Sequence, residues 1–326
     1  MPKVFITRNL PTDLTLLEKF ASVEVWHERQ PPTYEVLLSK VRSIDGLLCL
    51  LTDKIDKELI QAATNLRVIS QMAVGYDNID VSAATARKIP IGNTPGVLTD
   101  ATADLTWALL MASARRIVEA DKFTRALLWH TWEPDLLLGA DITGATLGII
   151  GFGRIGQAVA RRASGFDMPI IYTSRNPCNK ELENRLNAQF VSLETLLKQS
   201  DFVTIHTPLT SDTYHLFGRT QFEMMKQSAI LINTARGGIV NQDELYNALI
   251  TNQIAGAAID VTDPEPIPSN SPLLNLNNLV IAPHIGSASY KTRKKMADMA
   301  IENLIAGLKG EQLPYSVNSA TLTQSD

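Results

Sequence analysis

The sequence predicts an α/β fold in which parallel sheets are flanked by helices. First, short apolar runs alternate with helical patterns along most of the chain, which is typical of parallel strands joined by crossover helices. Second, one apolar run leads through the glycine-rich loop Gly151–Gly156 directly into a helical segment. Third, 326 residues leave room for two domains of ordinary size, each with its own core.

The composition limits the classes of function. Hydrophobic residues make up 45% of the chain and charged residues 20%, and the net charge of −4 leaves no basic footprint for nucleic acid. Met1–Thr7 reads as a strand rather than a signal peptide, and no apolar run approaches the length of a membrane span. Cys49 and Cys178 are too few for a disulfide framework and lack metal-ligand spacing. We therefore expect a cytoplasmic protein with no metal site and no membrane or nucleic-acid partner.

A small α/β domain is predicted before residue 99. Asn93–Gly96 is a turn signal, and Thr99 or Asp100 is predicted to cap the long helix Ala101–Arg116, so the domain crossing is placed there. The earlier strand-like runs are Val4–Thr7, Val23–Trp26, Gly46–Leu51, Arg67–Met72 and Pro90–Gly92, and the helical patterns between them are Thr12–Phe20, Lys57–Ala63 and Ser82–Arg87.

The segment Phe123–Gly139 is predicted to be a loop with an unusually apolar surface. It contains Trp129, Trp132 and Leu136–Leu138. Apolar surface of this kind often marks an interface with another chain, so we expect a partner contact here.

The loop Gly151–Gly156 is predicted to bind the pyrophosphate of a dinucleotide. Leu147–Ile150 suits a strand buried on both faces, and Gln157–Ala163 suits a helix whose free N–H groups would point at phosphate. Pro169–Thr173 then completes a strand–helix–strand unit of about 30 residues. A turn formed for packing alone is the alternative. The loop residues predicted to contact the cofactor are Gly151, Phe152, Gly153, Arg154, Ile155 and Gly156.

The end of the second strand in that unit predicts which cofactor binds. An acidic residue there would accept hydrogen bonds from the adenosine ribose 2′-OH and repel a 2′-phosphate. The chain instead has Ser174, Arg175 and Asn176, which suit a phosphate group. We therefore expect NADP(H) as the preferred cofactor, with NAD(H) as the alternative.

Later apolar runs end in polar or turn residues, and these ends are predicted to face the cofactor together. In open parallel sheets, ligands bind just outside the carboxyl ends of the strands. The runs are Phe202–Ile205, Ala229–Ile232, Ala255–Val261 and Leu279–Ala282.

Three residues at these ends form a set suited to reducing a 2-oxo acid. Arg236 can engage the carboxylate and carbonyl oxygens of the substrate at once. His284 can donate the proton to the developing alkoxide, and Glu265 can bind the other ring nitrogen and favour the protonated imidazole. Each residue alone has a structural explanation, namely a salt bridge, a structural histidine or a stiff turn. The combination of the three favours catalysis.

Six motifs, in order along nearly the whole chain, resemble the D-isomer-specific 2-hydroxyacid dehydrogenase family, and within it the glyoxylate/hydroxypyruvate reductases. The resemblance implies two Rossmann-like domains and a catalytic set of Arg236, Glu265 and His284. Asp104 departs from the pattern, because many relatives have Glu there. The motifs are Val74–Asp80, Asn93–Asp100, Gly148–Gly156, Thr234–Gly237, Asp260–Pro266 and Pro283–Ala288.

The resemblance also implies binding residues. Backbone N–H groups of Val74 and Gly75 would bind the substrate carboxylate, and Ser287 would lie at the substrate end. Trp132 would cross a dimer interface toward the partner's active site, with simple interface packing as the alternative. The further cofactor contacts that the resemblance implies are Thr102, Thr207, Pro208, Thr234, Ala235, Arg236, Asp260, His284 and Gly286.

The family's domain pattern implies a central cofactor domain inserted in a discontinuous substrate domain. Residues 1–98 and 286–326 would form the substrate domain, and residues 99–285 the dinucleotide-binding domain with its dimerisation segment. The helix predicted at Ser289–Leu308, with Met296 and Met299 in its apolar stripe, would return to the first domain. From the apolar segment Phe123–Gly139 and the resemblance to the reductases, we also expect a homodimer.

The predicted function is NAD(P)H-dependent reduction of glyoxylate and hydroxypyruvate to glycolate and D-glycerate by hydride transfer. Another member of the family is the nearest alternative. 3-Phosphoglycerate dehydrogenase would usually have an acidic residue near Ser174, and phosphite dehydrogenases place a lysine near Val74. A non-catalytic, dinucleotide-sensing protein on the same fold is the alternative from a different class.

Overall fold

The chain folds into two compact units. A computed structural model describes residues 1–319. Within the described residues, unit 1 consists of Met1–Leu98 together with residues 288–319, and unit 2 is Thr99–Ser287. Each unit is built on one parallel sheet with helices between its strands, which confirms the predicted fold class.

Unit 1 contains a five-stranded sheet in the order β2-β1-β3-β4-β5, with every pair parallel. One face of the sheet packs Phe5, Leu47 and Ile69 against Leu37 and Leu59 in a single apolar cluster. The elements of its first part are β1 (Lys3–Ile6), α1 (Thr15–Glu18), β2 (Ser22–Val25), α2 (Tyr34–Val41), β3 (Gly46–Cys49), α3 (Lys57–Ala62), β4 (Val68–Gln71), α4 (Val81–Ala86) and β5 (Ile91–Gly92).

Unit 2 contains a seven-stranded parallel sheet. Its elements in chain order are α5 (Thr99–Ala114), α6 (Ile117–Arg125), β6 (Leu147–Ile150), α7 (Arg154–Ala163), β7 (Ile170–Thr173), α8 (Lys180–Leu186), β8 (Ala188–Phe190), α9 (Leu193–Gln199), β9 (Phe202–Ile205), α10 (Arg219–Met224), β10 (Ile230–Asn233), α11 (Gln242–Ile250), β11 (Gly256–Ile259) and β12 (Leu279–Ile281). Both faces of the sheet are buried. Alternate residues of β10 lie on opposite faces and pack into two different apolar cores. Ile230 and Ile232 pack with Trp107, whereas Leu231 packs with Phe222.

The strand order of unit 2 creates a switch point between β6 and β9. The order is β12-β11-β10-β9-β6-β7-β8, so the chain leaves β6 toward one edge and resumes at β9 toward the other. Crevices outside the carboxyl ends of strands at such a point are where open α/β sheets bind ligands. The predicted glycine-rich loop follows β6 directly.

The last helix, α12 (Tyr290–Lys309), returns the chain to unit 1. The Ser70 hydroxyl of β4 donates to the Ala300 carbonyl of α12 at 2.7 Å. Met296 and Met299 are buried, as the helical pattern predicts. This helix therefore supplies core to the sheet formed by the first 98 residues.

Predicted element boundaries around α5 and α6 were wrong. The predicted loop Phe123–Gly139 begins inside α6, which is separated from α5 by Arg116 in the left-handed backbone region, at φ +52°. Neither glycine nor proline marks this break, and the Arg116 guanidinium pairs with Glu119 at 2.8 Å. In addition, α5 begins at Thr99, so Thr99 and Asp100 lie in its first turn rather than before it.

The described chain contains neither a candidate membrane span nor a candidate metal cluster. Among residues 1–319, no helix combines the length and apolar composition that a membrane crossing requires. Within the same range, His, Cys, Asp and Glu side chains do not form a group of three or more that could hold a metal ion.

Candidate functional site

The glycine-rich loop packs tightly against the end of β9. Gly151 has φ +91°, a conformation that L side chains rarely adopt, and a Cβ there would lie 2.6 Å from the His206 carbonyl carbon. A Cβ on Gly156 would lie 2.2 Å from the Gly151 carbonyl oxygen. Both glycines are therefore required by backbone packing, whatever the loop binds.

Gly153 differs from Gly151 and Gly156, because a Cβ on Gly153 would meet no atom within 4 Å. It is the N-cap of α7, and Arg154, Ile155 and Gly156 form the first turn of that helix. The first N–H groups of a helix have no intrahelical acceptor and carry a partial positive charge. The open space beside Gly153 thus lies at a helix terminus suited to an anion.

Two residues that the sequence did not single out support this loop. Gln157 donates through Nε2 to the Phe152 carbonyl at 2.9 Å. The Phe152 ring stacks on Tyr172 of β7 at a centroid distance of 4.0 Å, and the Tyr172 hydroxyl donates to Glu183 at 2.8 Å. Burial raises the pKa of Tyr172, so this hydroxyl stays a donor.

The residues predicted to select the cofactor follow β7. Arg175 and Asn176 are exposed, and Arg175 makes no ion pair with another described residue. The Ser174 hydroxyl donates to the Asn176 carbonyl at 2.5 Å. The nearby carboxylate of Glu183 is engaged by Lys180 at 2.5 Å.

His206, Thr207 and Pro208 follow β9 at the switch point. The Pro208 carbonyl accepts a hydrogen bond from the Thr213 hydroxyl at 2.7 Å, which holds this loop. His206 Nε2 is buried and has no hydrogen-bond partner among residues 1–319. Its burial lowers the pKa of the imidazole from 6.5 to about 3.

Arg236 is held by its neighbours at the end of β10. Asn233 Nδ2 donates to the Arg236 carbonyl at 2.9 Å, and Arg236 Nη1 donates to the Ala235 carbonyl at 2.8 Å. A Cβ on Gly237 would lie 2.0 Å from the Thr262 carbonyl oxygen. This close approach brings the Arg236 loop against the Asp263–Pro266 segment that carries Glu265.

His284 and Glu265 are joined directly. The Glu265 carboxylate lies 2.5 Å from His284 Nδ1, and both side chains are partly buried. An ionised carboxylate only accepts hydrogen bonds, so Nδ1 is the donor and Nε2 is left to exchange a proton. His284 has φ +55°, and its N–H donates to the Asp260 carbonyl at 2.8 Å.

Asp260 organises the turn that follows His284. Its two carboxylate oxygens accept hydrogen bonds from the N–H groups of Ile285 and Gly286, at 2.8 and 2.7 Å. Burial raises the pKa of Asp260 above the ordinary aspartate value, although these two bonds oppose the shift. A Cβ on Gly286 would lie 3.5 Å from the Thr102 side chain. Thr102, Asp260 and Gly286 are therefore neighbours.

The remaining predicted residues of unit 2 are Thr234, Ala235, Ser287 and Trp132. Thr234 exchanges a hydroxyl hydrogen bond with Thr106 at 2.9 Å, and Ala235 N donates to the Asn233 side chain at 3.0 Å. Ser287 is partly buried at the end of the unit. Trp132 is 78% exposed, and within the described chain no hydrogen bond or ring contact joins it to Arg236, Glu265 or His284.

The loop containing Val74 and Gly75 belongs to unit 1. It follows β4, and both residues are partly buried. Their carbonyl oxygens accept hydrogen bonds from two side-chain amides, Asn93 Nδ2 at 2.8 Å and Gln71 Nε2 at 3.2 Å. Sequence reasoning did not identify these two amides.

A family model and a curated relative assign the chain to the same family. Residues 107–286 match the family described as D-isomer specific 2-hydroxyacid dehydrogenase, NAD binding domain. A glyoxylate reductase from Thermococcus litoralis is 52% identical, with 99% of each chain covered.

Solved structures agree with this match. A protein from Thermus thermophilus superposes with a TM-score of 0.91 at 48% identity, over 97% of this chain and 99% of that one. An acyclic imino acid reductase, solved with NADPH and D-arginine, gives a TM-score of 0.85 at 29% identity, over 97% and 99% of the two chains.

Proposed function

The chain belongs to the D-isomer specific 2-hydroxyacid dehydrogenase family, and from that premise we propose that it reduces glyoxylate and hydroxypyruvate to glycolate and D-glycerate with NADPH. It is an oxidoreductase that uses a nicotinamide dinucleotide. The observation that carries the proposal is the bond between His284 Nδ1 and Glu265, at the same carboxyl edge of the parallel sheet as the glycine-rich loop. The name of the T. litoralis relative supports glyoxylate as a substrate.

His284 is the proton donor in this proposal. With Nδ1 bound to Glu265, the ring is oriented and Nε2 holds the proton that passes to the alkoxide oxygen as the carbonyl is reduced. Glu265 stabilises the protonated ring through its negative charge. When bound, the reduced nicotinamide supplies the hydride.

Arg236 anchors and polarises the substrate. Its planar guanidinium can bind a carboxylate oxygen and the carbonyl oxygen together, and its charge stabilises the oxygen on which negative charge develops. We assign the rest of the carboxylate binding to the N–H groups of Val74 and Gly75, with Ser287 and a partner's Trp132 at the substrate end.

The glycine-rich loop fits a dinucleotide. The space that a Cβ on Gly153 would occupy is open, so backbone N–H groups of the loop and of α7 are accessible to a pyrophosphate. Thr207 and Pro208 at the end of β9 would hold the adenosine half. The contacts assigned to the nicotinamide half are Thr102, Thr234, Ala235, Asp260 and Gly286.

The preference for NADPH rests on the end of β7. Arg175 is exposed there and has no carboxylate partner within the described part of the chain, so its guanidinium is available to a 2′-phosphate. Ser174 and Asn176 add polar groups beside it. An NADPH complex of a 29% identical relative is consistent with this preference, and NADH is the second cofactor to test.

We also propose a homodimer in the cytoplasm. Large apolar side chains are exposed between residues 127 and 138, which favours burial against a second copy. The two cysteines, Cys49 and Cys178, are both free thiols, as is usual in a reducing compartment.

Steady-state assays test the proposal and its alternatives together. Glyoxylate, hydroxypyruvate, pyruvate and phosphohydroxypyruvate are each supplied with NADPH and with NADH. We expect the fastest turnover with glyoxylate and hydroxypyruvate and NADPH. A preference for phosphohydroxypyruvate with NADH would favour a 3-phosphoglycerate dehydrogenase, and oxidation of neither cofactor by any 2-oxo acid would favour a dinucleotide sensor.

A further inference from the structure

Three successive carbonyl groups after β4 are each fixed by a hydrogen bond. The donors come from two different segments of unit 1, the end of β4 itself and the turn after β5. Thr94 N donates to Ala73 O at 2.9 Å, Asn93 Nδ2 to Val74 O at 2.8 Å, and Gln71 Nε2 to Gly75 O at 3.2 Å.

Fixing a carbonyl also fixes the N–H group of the next residue. The peptide unit is planar and trans, so its C=O and N–H point to opposite sides. The bond to Ala73 O therefore sets the direction of the Val74 N–H, and the bond to Val74 O sets that of the Gly75 N–H. Neither N–H donates to another group among residues 1–319.

The two side-chain donors are themselves held in place. Gln71 is fully buried, donates to Asn78 Oδ1 at 2.6 Å, and accepts from the Cys49 thiol at 3.0 Å. The backbone of Asn93 accepts from the buried amide of Asn303 at 3.0 Å. Because these two side chains are already held, they lose little further conformational freedom when their amides bind the loop carbonyls.

We infer that Asn93 and Gln71 are positioning residues for substrate binding. Asn93 holds the peptide that carries the Gly75 N–H, and Gln71 holds the following peptide, which restrains the permissive backbone of Gly75. This inference rests on the proposed function, which assigns the Val74 and Gly75 N–H groups to the substrate carboxylate. Donors fixed before binding need no reorganisation when the anion arrives.

The test compares near-isosteric variants in the holoenzyme. Asn93→Leu and Gln71→Met remove the amide donors and nearly keep the side-chain shapes. Asn318→Leu is the matched control, because Asn318 is also buried in unit 1 and its amide donates to a backbone carbonyl before β5, that of Ile89, at 3.1 Å. The measurements are KM and kcat for glyoxylate, and the Kd values of oxamate and NADPH.

We expect Asn93→Leu to raise the KM of glyoxylate and the Kd of oxamate about tenfold, with kcat changed less than about threefold and the Kd of NADPH unchanged. Gln71→Met should act in the same direction. Asn318→Leu should lower thermal stability and leave both carboxylate constants unchanged.

Other outcomes would overturn the inference. Unchanged KM and oxamate Kd in Asn93→Leu, or equal increases in Asn318→Leu, would show that the amide has no positioning role. If Asn93→Leu does not fold, Gln71→Met decides by the same criterion. A wild-type protein that reduces no 2-oxo acid would contradict the proposed function itself, whereas normal turnover with unchanged variants contradicts only the positioning role.

Discussion

His284 combines three constraints that a surface histidine rarely has. Its backbone is in the left-handed region, its N–H is bound to the Asp260 carbonyl, and its Nδ1 is bound to Glu265. A side chain so fixed presents one ring nitrogen in one direction. A strained backbone held by its surroundings is often found where function needs a defined geometry.

Replacing His284 tests its role as proton donor. His284→Ala should lower kcat by about 10²–10⁴-fold, because proton transfer to the alkoxide loses its donor. The Kd of NADPH should change little. His215→Ala is the control, since His215 is exposed in the same unit and its ring stacks on Tyr214 rather than on a residue assigned to the site. A kcat within threefold of wild type for His284→Ala would contradict the role.

Arg175 provides the residue-scale test of cofactor choice. Arg175→Ala should raise the Kd of NADPH about 10- to 100-fold, the loss expected for a charge-assisted hydrogen bond, and leave that of NADH nearly unchanged. Arg185→Ala serves as the control, because this exposed arginine is close in sequence but lies in α8. Equal losses for the two cofactors would exclude contact with the 2′-phosphate.

His206 predicts a pH dependence of stability. Burial lowers the pKa of this imidazole from 6.5 to about 3. The folded-state pKa is therefore below the unfolded one, so between these values the unfolded chain binds a proton that the folded chain excludes. The contribution to stability is complete above pH 6.5 and is lost toward pH 3, at up to about 1.4 kcal/mol per pH unit.

The comparison of wild type with His206→Gln isolates this contribution. Glutamine does not titrate, so the melting temperature of the variant should fall less than that of wild type between pH 7 and pH 5. Thermal unfolding followed by circular dichroism at each pH measures the difference. Parallel curves would mean that the folded protein binds a proton at His206 as readily as the unfolded chain does.

At the scale of elements, the three glycines between β6 and α7 have different roles. Two are required by packing, and one lies where a ligand can bind. Gly151 and Gly156 are constrained by neighbouring backbone, whereas Gly153 faces open space. Gly153→Ala should leave the melting temperature within about 2 °C of wild type and weaken NADPH and NADH alike, since the added methyl occupies room needed by the pyrophosphate.

Gly165→Ala is the matched control for that prediction. It also adds a methyl to open space in unit 2, but after α7 rather than before it. It should change neither stability nor cofactor affinity. Undiminished affinity in Gly153→Ala would place the pyrophosphate elsewhere.

The sequence predicted the elements whose signals are strong. Buried apolar runs such as Leu147–Ile150, and the glycine pattern after them, have few alternatives in an α/β chain. It did not predict α2, α6 or α8 to α11, which have six to nine residues each. Their caps were a usable signal, since Asn179 and Ser192 both accept a first-turn N–H.

The candidate site was predictable to the same extent. Strand-end reasoning placed Glu265 and His284 on one edge of the sheet, and they are bonded. The bond from Asn93 to Val74 was not predictable, because it depends on the neighbouring positions of β4 and β5 and on one side-chain rotamer. The sequence pattern predicts which residues lie at the same edge of a sheet. It does not predict individual hydrogen bonds, which depend on the three-dimensional positions of the side chains.

At the scale of the whole molecule, the exposed apolar segment after α6 suggests assembly. Leu127, Trp129, Trp132 and Leu138 are 81%, 60%, 78% and 66% exposed. Leaving such side chains in water costs about 25 cal/mol for each square ångström, so a second copy that covers them is favoured. In the proposed dimer, Trp132 is the residue assigned to the active site of the partner.

We therefore expect wild type to have twice the chain mass of 35.8 kDa by light scattering. Trp129→Asp with Leu127→Asp should shift the protein toward the monomer, because two carboxylates would have to be buried in the interface without partners. Leu16→Asp, at an apolar residue that is 55% exposed in unit 1, should leave the mass unchanged. If Trp132 completes the partner's site, the monomeric variant should also lose affinity for hydroxypyruvate while still binding NADPH. A monomeric wild type with full activity would contradict both the dimer and the role of Trp132.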